Sequence, residues 1–283
     1  MAANMIHAAD RFALPRGVRL RDDSLHDTAV SGEYPLVGAA SVFVALLADG
    51  YSLGEVARIV ASRFAVSETT ASSDLAGLVL TLNHAGLLNA RPSGGLLDRA
   101  RQRIEDWALG LATGVRPPAL STRHELTSSS MFGTALEVTS AVLIGHASLW
   151  LALGTIFAAL GVISSPDAML GLAALQLGLM SGLIVHELGH VVAARRWSGG
   201  CFLLTSGIGT VRVMHRRAAR RAWISAAGPG LAGACGVAVL AAGWSTGSGV
   251  LDLAAVPLLG NLFGFTILFG DGRSIVSGPW RAA

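Results

Sequence analysis

The feature that most constrains this chain is the loss of charge along its second half. After Glu187 only two acidic residues remain, Asp252 and Asp271. Four apolar stretches fall in the same region, at 141–163, roughly 168–194, 224–244 and 251–270. Each is long enough to cross a bilayer as a helix. A soluble helical core is a poor alternative, because four such stretches leave it little surface.

Arginine sets the expected orientation. All 21 basic residues are arginine, so the formal charge of +3 says little by itself, but their placement is uneven. The connections 164–167 and 245–250 contain none, whereas 195–223 holds seven. The positive-inside rule then places 195–223, the N-terminal part and the C-terminal tail in the cytoplasm. Trp197, Trp223 and Trp280 fall at cytoplasmic span ends and Trp244 at the other face, as interface anchors do. The expectation is a multi-pass protein of the cytoplasmic (inner) membrane, in contact with lipid, with both termini cytoplasmic. No signal peptide opens the chain, and residues 1–15 read as a flexible tail. Cys201 and Cys235, both in apolar surroundings, make neither a disulfide framework nor a zinc-ligand pattern.

Within the second stretch stands His186-Glu187-Leu188-Gly189-His190. Residues i and i+4 share a helix face, so the two histidines can present ring nitrogens to one ion. Glu187 is placed to act as general base. Eight His and seven Glu in this chain give roughly 0.006 chance occurrences of such a motif, a low false-positive risk. Three ionisable groups near a membrane helix end are also costly without a function. A catalytic zinc needs a third protein ligand and one open position. Ala193 and Arg196 stand where a metzincin continuation needs glycine and histidine, and no glutamate follows Glu187 for a thermolysin-like site. His215, Asp252 and Asp271 remain. His215 lies in an arginine-rich, solvated stretch. Asp252 and Asp271 sit at opposite ends of the last span, roughly 28 Å apart at helical rise. Only Asp271 shares the cytoplasmic end with the histidines, so topology selects it.

With "HELGH", the later "SAAGPGLAG" (225–233) and the terminal "GNLFGFTILFGDGR" (260–273), the chain resembles the site-2 protease family of intramembrane zinc metalloproteases over about 168–275. The resemblance implies a three-helix core in which His186, His190 and Asp271 bind one Zn2+. It implies Glu187 as the catalytic base and Asn261 as a catalytic residue assisting at the substrate. Two departures stand out. Gly264 replaces the family's proline, and Asn261 and Asp271 are ten apart, two more than usual. On an uninterrupted helix two extra residues turn the aspartate by about 200°. The site therefore requires the chain to unwind near Gly264 or Gly270, which glycine permits. The segment 201–214 reads as a short β-hairpin around Ser206-Gly207-Ile208-Gly209; in the family such a sheet lies beside the active site and can pair with an extended substrate. His146 and Gln176 are further polar residues within the spans, and His146 more often makes an interhelical hydrogen bond than serves an active site. "RHEL" at 123–126 is a decoy, with no second histidine.

Residues 16–90 read as a separate domain. Short strands are expected over 18–20, 27–30 and 33–36, then helices over about 38–48, 53–64 and 68–85. Ser52 and Glu55 form a capping box for the middle helix, and Gly86 stops the last. A DNA-binding winged helix needs basic residues on its third helix; this one carries only Glu68 and Asp74, so no nucleic acid is expected. The segments "GVRLRDD", "EYPLVGAASVFVALLADGYSLGEVARIVASRF" and "LAGLVLTLNHAGLL" resemble the PqqD-like recognition domain of ribosomal peptide biosynthesis. That resemblance implies a leader peptide bound against the 33–36 edge and the 68–85 helix. Residues 91–135 read as connection: an amphipathic helix over 96–112, then a linker.

The expected fold class is multi-domain. An α+β winged-helix-like domain of three short strands and three helices precedes an all-α polytopic membrane domain (136–283) of about four transmembrane helices with a short β-hairpin. The expected function is a membrane zinc metalloendopeptidase maturing a ribosomally made peptide, with a precursor or leader peptide as substrate and room for a partner subunit of a biosynthetic complex. The alternatives are regulated intramembrane proteolysis of a membrane-bound regulator, or a non-proteolytic subunit of a peptide-maturation complex.

Overall fold

A computed structural model describes residues 6, 8–91, 120–162, 165–206, 210–216, 220–266 and 271, and its contacts divide the chain into two units, Met1–Arg123 and His124–Ala283. The expected amphipathic helix at 96–112 and the turn at 207–209 lie outside the described residues.

The N-terminal unit runs β1 (Arg11–Ala13), β2 (Val18–Arg21), β3 (Ser24–Asp27), β4 (Gly32–Pro35), α1 (Ala40–Ala48), α2 (Leu53–Phe64), α3 (Glu68–His84) and β5 (Asn89–Arg91). It is mixed α+β. Alternation along β2 and β3 turns Val18, Leu20 and Leu25 inward, where Leu25 packs with Val44, Leu47, Val56, Leu75 and Val79. The capping box forms: the Ser52 amide donates to Glu55 Oε2 at 2.7 Å, and the Ser52 hydroxyl accepts from the Glu55 amide. A left-handed Ala65 ends α2.

Three expectations change. The strand expected over 27–30 falls at Ser24–Asp27, because 28–31 is a turn: Thr28 N–H donates to Gly17 O, Ala29 N–H donates to Asp27 Oδ1, and Ser31 has positive φ. The tail expected over 1–15 contains β1, which pairs antiparallel with β5 and buries Phe12 in the core. The expected linker is structured at 121–125. There Arg123 donates to both carboxylate oxygens of Asp27, at 2.6 and 2.9 Å, with both side chains fully buried. Asn83 holds Ser121 on both sides, donating to its carbonyl at 2.8 Å and accepting from its amide at 2.6 Å.

The second unit contains β6 (Ser121–Glu125, entering from the first unit), α4 (Met131–Gly145), α5 (Ala147–Val162), α6 (Pro166–Ser198), β7 (Cys201–Ser206), β8 (Thr210–His215), α7 (Arg221–Thr246), α8 (Gly249–Gly260) and a 3-10 turn over Asn261–Phe265. α6 and α7 are long and apolar enough to cross a bilayer; α4 and α5 are bent by 70° at their junction, and α8 with its 3-10 turn is shorter. Among the described residues, two helices are long and apolar enough to span, or three if the bent pair is one span, where four spans are expected. The first expected span, 141–163, breaks at His146, which caps α4, bonds the Val142 carbonyl at 3.0 Å and stacks on Trp150. β7 and β8 pair antiparallel as expected, from Cys201↔His215 to Ser206↔Thr210. β6 adds a third strand beside β7.

α6, α7 and α8 pack through glycines. A Cβ at Gly178 would overlap the Ala254 backbone of α8, one at Gly189 would overlap the Ala227 carbonyl of α7, and one at Gly236 would stand 2.9 Å from the Leu259 amide. In lipid, where apolar burial between helices gains little, such backbone proximity supplies the van der Waals contact that holds a bundle together. The result is a multi-pass helical membrane region with a small sheet.

The buried Arg123–Asp27 pair yields a prediction. Arg123→Ala leaves an unpaired buried carboxylate and should cost about 3–5 kcal/mol, read as a lower thermal midpoint of the first transition. Asp27→Asn/Arg123→Met should recover part of that loss. Equal midpoints for wild type and Arg123→Ala would refute the assignment.

Candidate metal centre

The centre starts from the i, i+4 spacing on α6. His186 and His190 stand one turn apart, their Nε2 atoms separated by 3.0 Å. Asp271 Oδ2 lies 3.1 Å from His186 Nε2 and 3.3 Å from His190 Nε2. Among the described residues these three form the group able to hold a metal ion.

Each donor has a local reason for its position. His190 Nδ1 lies 2.7 Å from the Ile224 carbonyl near the start of α7. As N–H donor there, the neutral ring must present Nε2 as a lone pair, the outer-shell arrangement that orients metal-binding histidines. The ring fits because the facing residue is Gly228; a Cβ there would overlap the imidazole. His186 Nδ1 and Glu187 Oε2 are buried and, among the described residues, have no hydrogen-bond partner. Glu187 sits between the two ligands in sequence and is buried at 9% exposure.

Asp271 arrives because the chain leaves the helix. α8 ends at Gly260, the backbone tightens to a 3-10 turn over Asn261–Phe265, and Thr266 is extended with ψ 151°. The rotation expected for two extra residues on a continuous helix therefore does not apply. The α-helix gives way at Asn261, and the 3-10 turn that follows contains Gly264, one of the two expected positions; Gly270 lies outside the described residues. Gly264 itself packs on Pro229, where a Cβ would stand 3.1 Å from the proline Cβ and 3.8 Å from His186 Cε1. A proline at 264 would crowd this contact.

The donor set fits a zinc-sized ion. Bonds of about 2.0–2.1 Å in tetrahedral geometry separate ligand atoms by about 3.3–3.4 Å. The observed separations are 3.0, 3.1 and 3.3 Å. Two lone-pair nitrogens and a carboxylate this close repel one another unless a cation or shared proton lies between them. Among the described residues the set offers two nitrogens and one oxygen, one donor fewer than a tetrahedral ion takes.

The remaining candidates lie elsewhere. Asn261 borders Gly182, one turn before His186 on α6, and its Nδ2 donates to Pro257 O at 2.9 Å. His146 engages Val142 and Trp150. Gln176 makes the interhelical bond, donating to Trp150 O at 3.2 Å. Asp252 abuts Gly243. His215, at the end of β8, bonds the Arg216 carbonyl, and burial lowers its pKa. "RHEL" is no ligand set: Arg123 pairs with Asp27, and His124 Nε2 lies 3.1 Å from Thr205 Oγ1. The Ile224 carbonyl and Gly228 were not singled out from sequence. Their only signal is the small-residue run 225–233 on the neighbouring helix.

Gly228→Ala tests this packing. Displacing the His190 ring should weaken metal binding about 10–100-fold, the usual loss when an outer-shell contact fails, measured by competition with a chromogenic chelator. Unchanged affinity would show that Gly228 does not seat the ring. Compared with known proteins, the chain matches no family model, no curated protein and no solved structure.

Proposed function

We propose that the chain is a zinc metalloendopeptidase of the cytoplasmic membrane, similar in design to site-2 proteases. Its N-terminal unit, similar to PqqD-like domains, would recruit the leader of a ribosomally made precursor peptide. The observation that carries the chemistry is the convergence of His186, His190 and Asp271 around one point, with Glu187 buried beside them. The seven arginines between 195 and 223 support a cytoplasmic location for this end of α6, for the sheet and for both termini.

When bound, zinc would be held by His186, His190 and Asp271 and would supply a Lewis acid that lowers the pKa of a bound water. The chain does the rest. Glu187 Oε2, free of other partners, takes a proton from the attacking water and passes it to the leaving amide nitrogen. Hydroxide adds to the scissile carbonyl carbon, the C–N bond breaks, and the products are a carboxylate and an amine. His190 stays fixed by the Ile224 carbonyl through the cycle. Asn261 spends one amide proton on Pro257; its other N–H and its carbonyl oxygen remain for the substrate backbone. The β6-β7-β8 sheet supports the reading that substrate is presented as an extended strand, since edge strands carry unpaired N–H and C=O groups.

Zinc content and cleavage separate these roles. Purified protein should carry one zinc. Asp271→Ala should lose it, while Glu187→Gln should keep it and lose about 10²–10⁴-fold in cleavage of a precursor peptide. Wild-type protein unable to bind zinc would sink the proposal.

A further inference from the structure

The outer face of the β2-β3-β4 sheet carries charge that the fold does not use. Arg19 and Arg21 are two apart on β2 and so point to the same side, opposite the inward Val18 and Leu20. The register sets His26 opposite Arg19 and Glu33 opposite His26. His26 Nε2 lies 3.7 Å from Glu33 Oε1, so the exposed carboxylate of this face sits on β4, two strands away from the arginines. Arg19 and Arg21 border an open groove of about 440 Å³ that continues past Thr28 and Ser31. Asp27, whose register places it with Val18 on the inward face, has both carboxylate oxygens held by Arg123 and adds no unpaired charge to the groove. Asp22 and Asp23 occupy the turn after Arg21. Among the described residues, neither arginine has an ion pair or hydrogen bond, and both are exposed. Two unmatched guanidiniums therefore face one groove, and β2 is the sheet edge on that side.

We infer that this groove binds an acidic segment of the recruited peptide, with Asp or Glu at alternate positions. This rests on the peptide-recruitment half of the proposed function and not on the metal centre. Side chains two apart on a strand project from one face about 6.5–7 Å apart. An extended Glu-Xaa-Glu segment has the same spacing, so each carboxylate meets one guanidinium. Arginine also offers a planar fork that pairs with a carboxylate through two parallel hydrogen bonds. A concave groove with two cations at strand spacing suits a peptide better than a flat lipid surface, which rewards a broad basic patch.

The experiment uses the full chain in phosphatidylcholine nanodiscs. Fluorescence anisotropy follows a labelled decapeptide with alternating Glu and Val, beside one with Gln for Glu and one with Lys for Glu. The acidic peptide should bind at least about tenfold tighter than either control, and its affinity should fall with added salt. Arg19→Gln/Arg21→Gln should remove that preference while zinc content stays unchanged. Equal binding of all three peptides would overturn the inference while leaving peptide recruitment standing. Binding of none would overturn both, and the metal-centre reading would still be judged by zinc content. A variant that binds the acidic peptide as wild type does would also overturn it. If phosphatidylserine discs alone abolish peptide binding to wild type and not to the variant, the arginines contact lipid and the inference fails.

Discussion

Close backbone contact among α6, α7 and α8 is the constraint on which the metal centre depends. Lipid offers little gain for apolar side chains that meet between helices, so the bundle is held by contact at short range. Gly178 lets α8 approach α6, Gly189 and Gly228 let α7 approach α6 from both sides, and Gly236 closes α7 on α8. These contacts do more than stabilise. Gly189 lies between the two histidines in sequence, and Gly228 faces the His190 ring. The glycine contact that joins α6 to α7 therefore also sets the depth and tilt of a ligand. The Ile224 carbonyl, one turn before Gly228, then fixes which ring nitrogen is available.

The same close packing supports the departure from helix at 261. Helix interruption inside a membrane is tolerated where neighbouring helices or side chains satisfy the exposed backbone. Asn261 Nδ2 donates to the Pro257 carbonyl, whose helical partner, the Asn261 backbone N–H, has turned to Leu258 O. The Thr266 amide donates to Phe263 O. The turn rests on Pro229 through Gly264, so its position is set by α7. Asp271 then meets two histidines 85 and 81 residues upstream (271 − 186 and 271 − 190).

Legibility followed the range of the interaction. The metal motif was readable because i, i+4 spacing is local, and the capping box at Ser52–Glu55 for the same reason. Asp271 was reachable by elimination, since membrane topology restricts which carboxylate can share a depth with the histidines. What was not readable depends on contacts between distant segments. Arg123 and Asp27 are 96 apart, and nothing in the hydropathy pattern joins them; Asp27 reads as the start of a strand and Arg123 as linker. The shape of the spans is hidden for a different reason. Hydropathy counts apolar residues, and it cannot see that His146 interrupts one stretch or that Asn261 turns another into a 3-10 segment.

The break at 261 also bears on whether the irregular spacing leaves a dead site. A degenerate site keeps its motif while losing the geometry, because nothing selects the position of the third ligand. The ten-residue gap would misplace Asp271 on a continuous helix, and the 3-10 turn over Asn261–Phe265 removes that continuity. Within it Gly264 packs closely on Pro229, where a Cβ would stand 3.1 Å away. With ligand atoms at 3.0–3.3 Å, the three side chains keep the spacing of a group able to hold a metal ion.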